Sequence, residues 1–231
     1  MKSSQLPLNL HVADDATFAN FFLGSNAALI TELKACSEGK LFHMFYIWGK
    51  HSAGCSHLLQ ACCHEAFEYH RTATYISLLN VQTLSPELLE GLENLNLVCL
   101  DDVDTIAGNA LWEEALFDLY NRCREKSCSL IIAGQVAPAQ LGLKLADLQT
   151  RLTWDLVFQV HELTDEEKGE ALQMRARNRG LSLSSEVIHY LLTHFSRDMM
   201  ALYELLERLD KITLVEQRRV TVPLVKEILK K

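Results

Sequence analysis

Residues 49 to 57, GKHSAGCSH, come within one side chain of a phosphate-binding loop. That loop reads G-x-x-x-x-G-K-[ST]. Its glycines let backbone N–H groups turn toward phosphate, its lysine reaches the outer phosphates, and its hydroxyl serves a magnesium ion. Gly49 and Gly54 stand at the required separation and Ser56 supplies the hydroxyl, but Cys55 stands where the lysine belongs. The backbone contributions need no lysine, so Gly49, Lys50, His51, Ser52, Ala53, Gly54, Cys55, Ser56 and His57 remain candidate phosphate contacts. Without the lysine charge the loop is expected to favour a diphosphate, or to hydrolyse a triphosphate poorly. Lys50 is a candidate substitute cation, and a ligand-free strand-to-helix turn is the plain alternative.

Three further features bear on the same chemistry. LVCLDD (97 to 102) is an apolar run ending in two acids. Asp101 there would hold magnesium together with Ser56, and Asp102 stands where many ATPases carry the group that orients the attacking water. A solvated turn is the alternative. Arg197, in SRDMMALYELL, lies near a helix start from which an arginine can reach phosphates; an ordinary surface arginine is the commoner fate. Arg151, in DLQTRLTWDL, precedes the last strand of its domain. From there a guanidinium can enter a neighbouring subunit and stabilise charge developing on a transferring phosphoryl group. A salt bridge with Asp147 or Asp155 is the alternative.

These residues need a scaffold, and the pattern predicts one. Strands are expected over 41–49, 72–79, 96–104, 129–135 and 155–163, most of them separated by helices over 25–35, 56–68, 85–94 and 109–126. Ser25, Ser85 and Asn109 are the expected caps. Strands apolar on both faces belong in a parallel sheet covered by helices. After 163 the pattern turns helical: Thr164 and Glu167 form a capping box, Gly180 stops that helix, and Ser184 and Ser196 are candidate caps for two more. The expected organisation is an extended tail (1–12), an α/β base with a five-stranded parallel sheet (13–163) and a small all-α lid (164–231).

The residues together resemble the AAA+ ATPases, and within them the bacterial replication initiator DnaA, over 13–231. TFANFFLGSNAAL resembles the initiator's adenine-surrounding stretch, which implies that role for Phe18, Phe21, Phe22 and Asn26. QTRLTW resembles the arginine-finger segment, giving Arg151, and SRDMM the sensor 2 segment, giving Arg197. IIAGQVAP departs from sensor 1, with Gln135 where the initiator has an aspartate. The initiator's basic helix-turn-helix has no counterpart before Lys231. In the tail, Gln5, Leu6, Leu8 and Leu10 of QLPLNL resemble the short motif that docks replication proteins on the β sliding clamp of DNA polymerase III. A clamp motif joined to an initiator-like core resembles the Hda family. That resemblance implies a clamp-bound regulator that stimulates hydrolysis of ATP held by DnaA and so blocks reinitiation, with ADP as its own ligand and magnesium optional.

Composition limits the alternatives. A net charge of -8 argues against a general basic surface for nucleic acid, so contact with DNA is expected only through the clamp. A helicase loader usually needs a basic surface for single strands, for which a lid patch such as Arg175, Arg177 and Arg179 could do local work; a solvated helix face is the other reading. No run is long and apolar enough for a membrane span, and no secretory signal is visible. Seven cysteines without a C-x-x-C pair fit a reducing cytoplasm, most of them as buried thiols. Cys55, His57, Cys62, Cys63 and His64 match no zinc spacing. An autonomous ATPase predicts turnover by the chain alone, which Cys55 and Gln135 oppose. A nucleotide-locked adaptor predicts that Arg151 is dispensable. Head-to-tail homo-oligomers could mask Arg151.

Overall fold

The computed structural model describes residues 16–216 and 218–229. The clamp-motif residues Gln5, Leu6, Leu8 and Leu10 lie outside them. Five short strands form one parallel sheet: β1 (Met44–Trp48), β2 (Ala73–Ser77), β3 (Leu97–Asp101), β4 (Ser129–Gly134) and β5 (Leu156–Gln159), in the order β2-β3-β4-β1-β5. Every pairing is parallel, so all five C-terminal ends reach one edge. The central strands β3 and β4 are buried at every residue, as runs of Leu, Val, Ile and Cys require. The edge strand β5 alternates between half-buried and exposed. Each strand is shorter than the range expected for it, because ladder pairing ends before the sequence pattern does. The third turns off at Asp102, whose backbone is left-handed with φ 59°.

Helices α1 (Ala27–Ser37) and α2 (Cys55–Glu68) pack together, with α2 also against β2, β3 and β4. Helices α3 (Ala110–Glu125) and α4 (Ala146–Trp154) share a core with Tyr46, Leu100 and Ile132. The expected helix behind Ser85 is instead two 3-10 turns, Pro86–Leu89 and Leu92–Asn94. Gly91, at φ 78°, breaks the run, and α3 draws the segment toward itself: Arg122 donates to the Leu89 carbonyl at 3.0 Å and to Glu93 at 3.1 Å. Tertiary bonding outweighs local propensity there. Neither Ser85 nor Asn109 makes a side-chain cap bond, and Asn26, not Ser25, precedes α1.

The described residues divide into two compact units, one of residues 16–18 and 25–160, the other of residues 19–24 with those described from 161 to 229. Short helices build the second: α5 (Asp165–Asn178), α6 (Ser185–His194), α7 (Met199–Glu216) and α8 (Val222–Leu229), with no strand among its described residues. Thr164 accepts from the Glu167 N–H at 3.2 Å and Glu167 accepts from the Thr164 N–H at 2.8 Å, closing the capping box. Ser184 caps α6. The cap of α7 falls to Asp198, which takes the Met200 N–H at 2.8 Å, while Ser196 holds the Asp198 N–H at 3.0 Å. The arginine patch dissolves into structure. Arg175 is buried with its guanidinium 4.4 Å from the Tyr203 ring, Arg179 pairs with Glu207 at 3.0 Å, and only Arg177 is exposed.

Candidate functional site

β1 delivers the chain into the 49–57 loop, and the loop delivers it into α2. Gly49 donates to the Gly134 carbonyl at 3.2 Å, and Ala53 donates to the Lys50 carbonyl at 2.9 Å, closing the turn. Ser52 (φ 66°) and Gly54 (φ 104°) are both left-handed. A Cβ on Gly49 would stand 2.8 Å from the Ala53 Cβ and 2.9 Å from the Val160 carbonyl, so only glycine fits. Gly54 caps α2 with no side-chain bond, so the first N–H groups of the helix carry their partial positive charge without a side-chain cap. Lys50, His51 and Ser56 are exposed; Ser52, Ala53, Cys55 and His57 are half-buried. The His57 ring shares a 2.8 Å hydrogen bond with the Thr17 carbonyl, tying the start of α2 to the segment before Phe18.

Beside this loop stands a cluster of acids. Asp101 ends β3 and is only 4% exposed. Its carboxyl accepts from the Tyr75 hydroxyl at 2.8 Å and from the Asp102 N–H at 3.0 Å. Burial raises its pKa above the usual carboxylate range, with the charge of Asp102 adding to the rise; hydrogen bonds from Ser56, Tyr75 and the Asp102 amide oppose it. The Ser56 hydroxyl and the Asp101 carboxyl thus sit side by side, a donor set that suits magnesium. Asp102, expected to face the attacking water, is held by the Ser77 hydroxyl at 2.6 Å. Asp104 takes the Gln135 N–H at 2.7 Å. Cys55 meets the same negative field: burial first, then Asp101, Asp104 and Asp102, push its thiol up to about 12. The residue in the lysine position is therefore a neutral thiol at pH 7.

Of the four adenine candidates, Phe18 and Asn26 are buried in the first unit, with Lys34 Nζ 5.4 Å from the Phe18 ring centre. Phe21 and Phe22, both half-buried, belong to the second unit. Arg197, also in the second unit, is exposed and pairs with Asp165 at 3.4 Å.

Arg151 occupies the last turn of α4. Neither acid weighed as its partner pairs with it. Asp155 instead accepts from the Tyr120 hydroxyl and lies 3.9 Å from Arg124. The Arg151 guanidinium lies 5.9 Å from the Tyr120 ring centre and 5.5 Å from that of Trp154. One residue with a positioning role escaped the sequence reading. Glu113, fully buried in α3, accepts the N–H groups of Gly108 at 2.6 Å, Lys144 at 2.9 Å and Leu145 at 2.7 Å. It fixes the loop that launches α4. Its only signal was an acid on the apolar side of WEEALF.

Among the described residues, no group of three or more His, Cys, Asp or Glu is arranged to hold a metal, and no helix is long and apolar enough to cross a membrane.

Comparison with known proteins agrees with this architecture. Residues 12–159 match the model of the bacterial DnaA ATPase domain, and residues 165–229 match that of the Hda lid domain. An uncharacterized protein of Haemophilus influenzae is 43% identical over 98% of this chain and 99% of its own length. Domain III of the Thermotoga maritima replication initiation protein DnaA has the same fold, with a TM-score of 0.77 at 18% identity over 97% of this chain and 98% of that one. DnaA from Aquifex aeolicus bound to AMPPCP gives a TM-score of 0.73 at 23% identity over 88% of this chain and 67% of that one. The chain belongs to the DnaA-related AAA+ family, as a member with a lid of the Hda type.

Proposed function

We propose that this chain is a regulator of replication initiation that, anchored to the DNA-loaded sliding clamp, stimulates hydrolysis of ATP held by a DnaA-type initiator. The observation that carries this reading is the contrast between its own loop and Arg151. The loop offers glycine turns and an uncapped helix end but a neutral Cys55 in place of the lysine. The half-buried Arg151 guanidinium lies against two aromatic rings, and no ion pair with an acid of its own chain holds it among the described residues. A loop without its lysine, in a chain whose Arg151 is paired with no carboxylate, suits a protein that completes another's active site.

In this reading the 49–57 loop holds ADP as a structural ligand. The nucleotide stabilises the folded state by mass action. Backbone N–H groups of the loop and of α2 bear the phosphates. Ser56 and Asp101 hold magnesium where it is present, and the ion supplies neutralising charge. The AMPPCP bound to the Aquifex aeolicus relative supports adenine nucleotide as the ligand class. Phe18, Phe21, Phe22 and Asn26 surround the base, and Arg197 leaves Asp165 to meet phosphate. Gln5, Leu6, Leu8 and Leu10 dock on the clamp, raising the local concentration near the initiator. Arg151 then enters the initiator's nucleotide site and stabilises the charge that develops on the transferring group. The setting is the cytoplasm, on DNA only through the clamp.

The test is single-turnover hydrolysis of radiolabelled ATP preloaded on DnaA. The chain is added with ADP and DNA-loaded clamp, as native protein, as Arg151→Ala and with residues 1–10 deleted. Acceleration by the native chain alone supports the reading. If nucleotide and clamp bind but nothing accelerates, the chain is an adaptor and not an activator.

A further inference from the structure

We propose that Tyr120 and Trp154 are positioning residues for Arg151, their rings holding its guanidinium clear of carboxylate while the Tyr120 hydroxyl and Arg124 keep Asp155 from capturing it. This inference rests on the reading of Arg151 as a group that acts in trans. The α3 and α4 helices meet where it is needed. Trp154 follows Arg151 by one helical turn, so both lie on one face of α4. Tyr120, almost fully buried in α3, supplies the second ring. At 5.5 and 5.9 Å both rings are within the range of cation–π attraction.

The chemistry of guanidinium makes this arrangement specific. Stacking uses the flat faces of the group, whereas its five N–H donors radiate from the edge. A guanidinium held by rings therefore keeps its donors for oxygen acceptors, and one paired with a carboxylate spends them. The carboxylate at risk is Asp155, which follows α4 four residues after Arg151 and lines the same small void. The structure commits Asp155 elsewhere: it accepts from the Tyr120 hydroxyl and faces Arg124. That hydroxyl remains a donor at neutral pH, because burial first, and then the bond to Asp155 and its charge, push it up to about 12. Arg151 is half-buried and lines, together with Tyr46, Tyr120, Leu152 and Asp155, a void of ≈ 10 Å³, room for one water at most, so its side chain has little space to move deeper. Trp154 is 68% exposed, so one side of its ring awaits a partner. Burial of that side on assembly strengthens a cation–π contact. Through Glu113 the same α3 also pins the loop before α4, so one helix sets both the origin of α4 and the ring beneath its arginine.

The test uses the full chain with ADP and DNA-loaded clamp, titrated against DnaA preloaded with radiolabelled ATP. The rate at saturation is separated from the half-saturating concentration, and Arg151→Ala is run alongside. Trp154→Ala is expected to lower the saturating rate about tenfold. Tyr120→Phe, which keeps the ring and frees Asp155, is expected to lower it several-fold, and the double variant Tyr120→Phe with Asp155→Asn is expected to recover it. On the chain alone, the Arg151 side-chain proton resonances should be shifted upfield by the two rings and should move back in Trp154→Ala. If Trp154→Ala changes only the half-saturating concentration, or the double variant is no better than Tyr120→Phe, the inference is overturned. If Arg151→Ala abolishes stimulation while the ring variants are silent, the inference fails alone. If Arg151→Ala is itself silent, the reading of the function fails and takes this inference with it.

Discussion

Two places in the α/β unit handle charge in opposite ways. Around the phosphate loop, acids are abundant and each is occupied: Asp101 by Tyr75 and its neighbour's N–H, Asp102 by Ser77, Asp104 by the Gln135 N–H. The one position that should bring a cation holds a neutral thiol. At the end of α4 the situation reverses. A cation is present, and the nearby acid has been given to other donors. The first site has a cradle without its charge, and the second has a charge without a phosphate. The difference teaches that one fold can keep a cation clear of acids at one place while withholding it at another; in the proposed reading the cation at the end of α4 serves another molecule's site.

The most severe test of that contrast is Arg151→Ala. Stimulation of hydrolysis on DnaA should fall by a factor on the order of 10³, the lower end of what fingers supplied in trans contribute. Nucleotide affinity of the chain's own loop should not change, as measured by calorimetry with ADP. A parallel loss of ADP binding would break the comparison, since it would make Arg151 part of its own cradle. Next in size is Gly49→Ala. Its Cβ would meet the Val160 carbonyl at 2.9 Å, a backbone atom with little freedom to yield. The strain is about 1–3 kcal/mol, so ADP affinity should drop between about fivefold and about 150-fold. An unchanged dissociation constant would mean that the loop is not the cradle. Third is Cys55→Lys. Restoring the cation adds a charged hydrogen bond of about 1.5–3 kcal/mol to the outer phosphate, so preference for ATP over ADP should rise about tenfold. No change would mean that Lys50 already supplies the charge.

The sequence carried the base sheet well because its central strands β3 and β4 are fully buried runs, and a buried parallel strand leaves a continuous apolar signature. The caps at Thr164 and Ser184 were legible for a similar reason: the bonds are local and their partners lie three residues on. What failed depended on distance in the chain. Arg122 converts the 86–94 segment into 3-10 turns from about thirty residues away. Arg175 reads as a surface arginine until Tyr203 is placed against it. The loop, Asp101 and Arg151 were visible as residue types in sequence. Their condition was not: that Asp102 is held by Ser77, that Asp155 turns from Arg151 to Tyr120, and that Glu113 anchors the loop before α4 are all facts of tertiary contact.

The smallest expected effect concerns the bond that keeps one acid out of use. Ser77 ends β2 and donates to Asp102 at 2.6 Å. The left-handed backbone of Asp102 does not depend on that bond, because the Thr105 N–H at 3.0 Å and the Thr105 hydroxyl at 2.7 Å both donate to the Asp102 carbonyl. Ser77→Ala should therefore free the carboxylate while leaving the turn in shape. The bond to the carboxylate contributes about 1.5–3 kcal/mol and the Leu79 N–H bond that the same hydroxyl accepts at 3.2 Å adds about 0.5–1.5 kcal/mol, a loss visible as a lower Tm. If the missing lysine charge at Cys55 is what keeps this chain from turning over ATP, a freed carboxylate alone should raise its own hydrolysis no more than about threefold. A rise of about a hundredfold or more would place the block at Ser77 instead. The loop would then be a complete engine held off by one hydroxyl, and the contrast with the end of α4 would disappear.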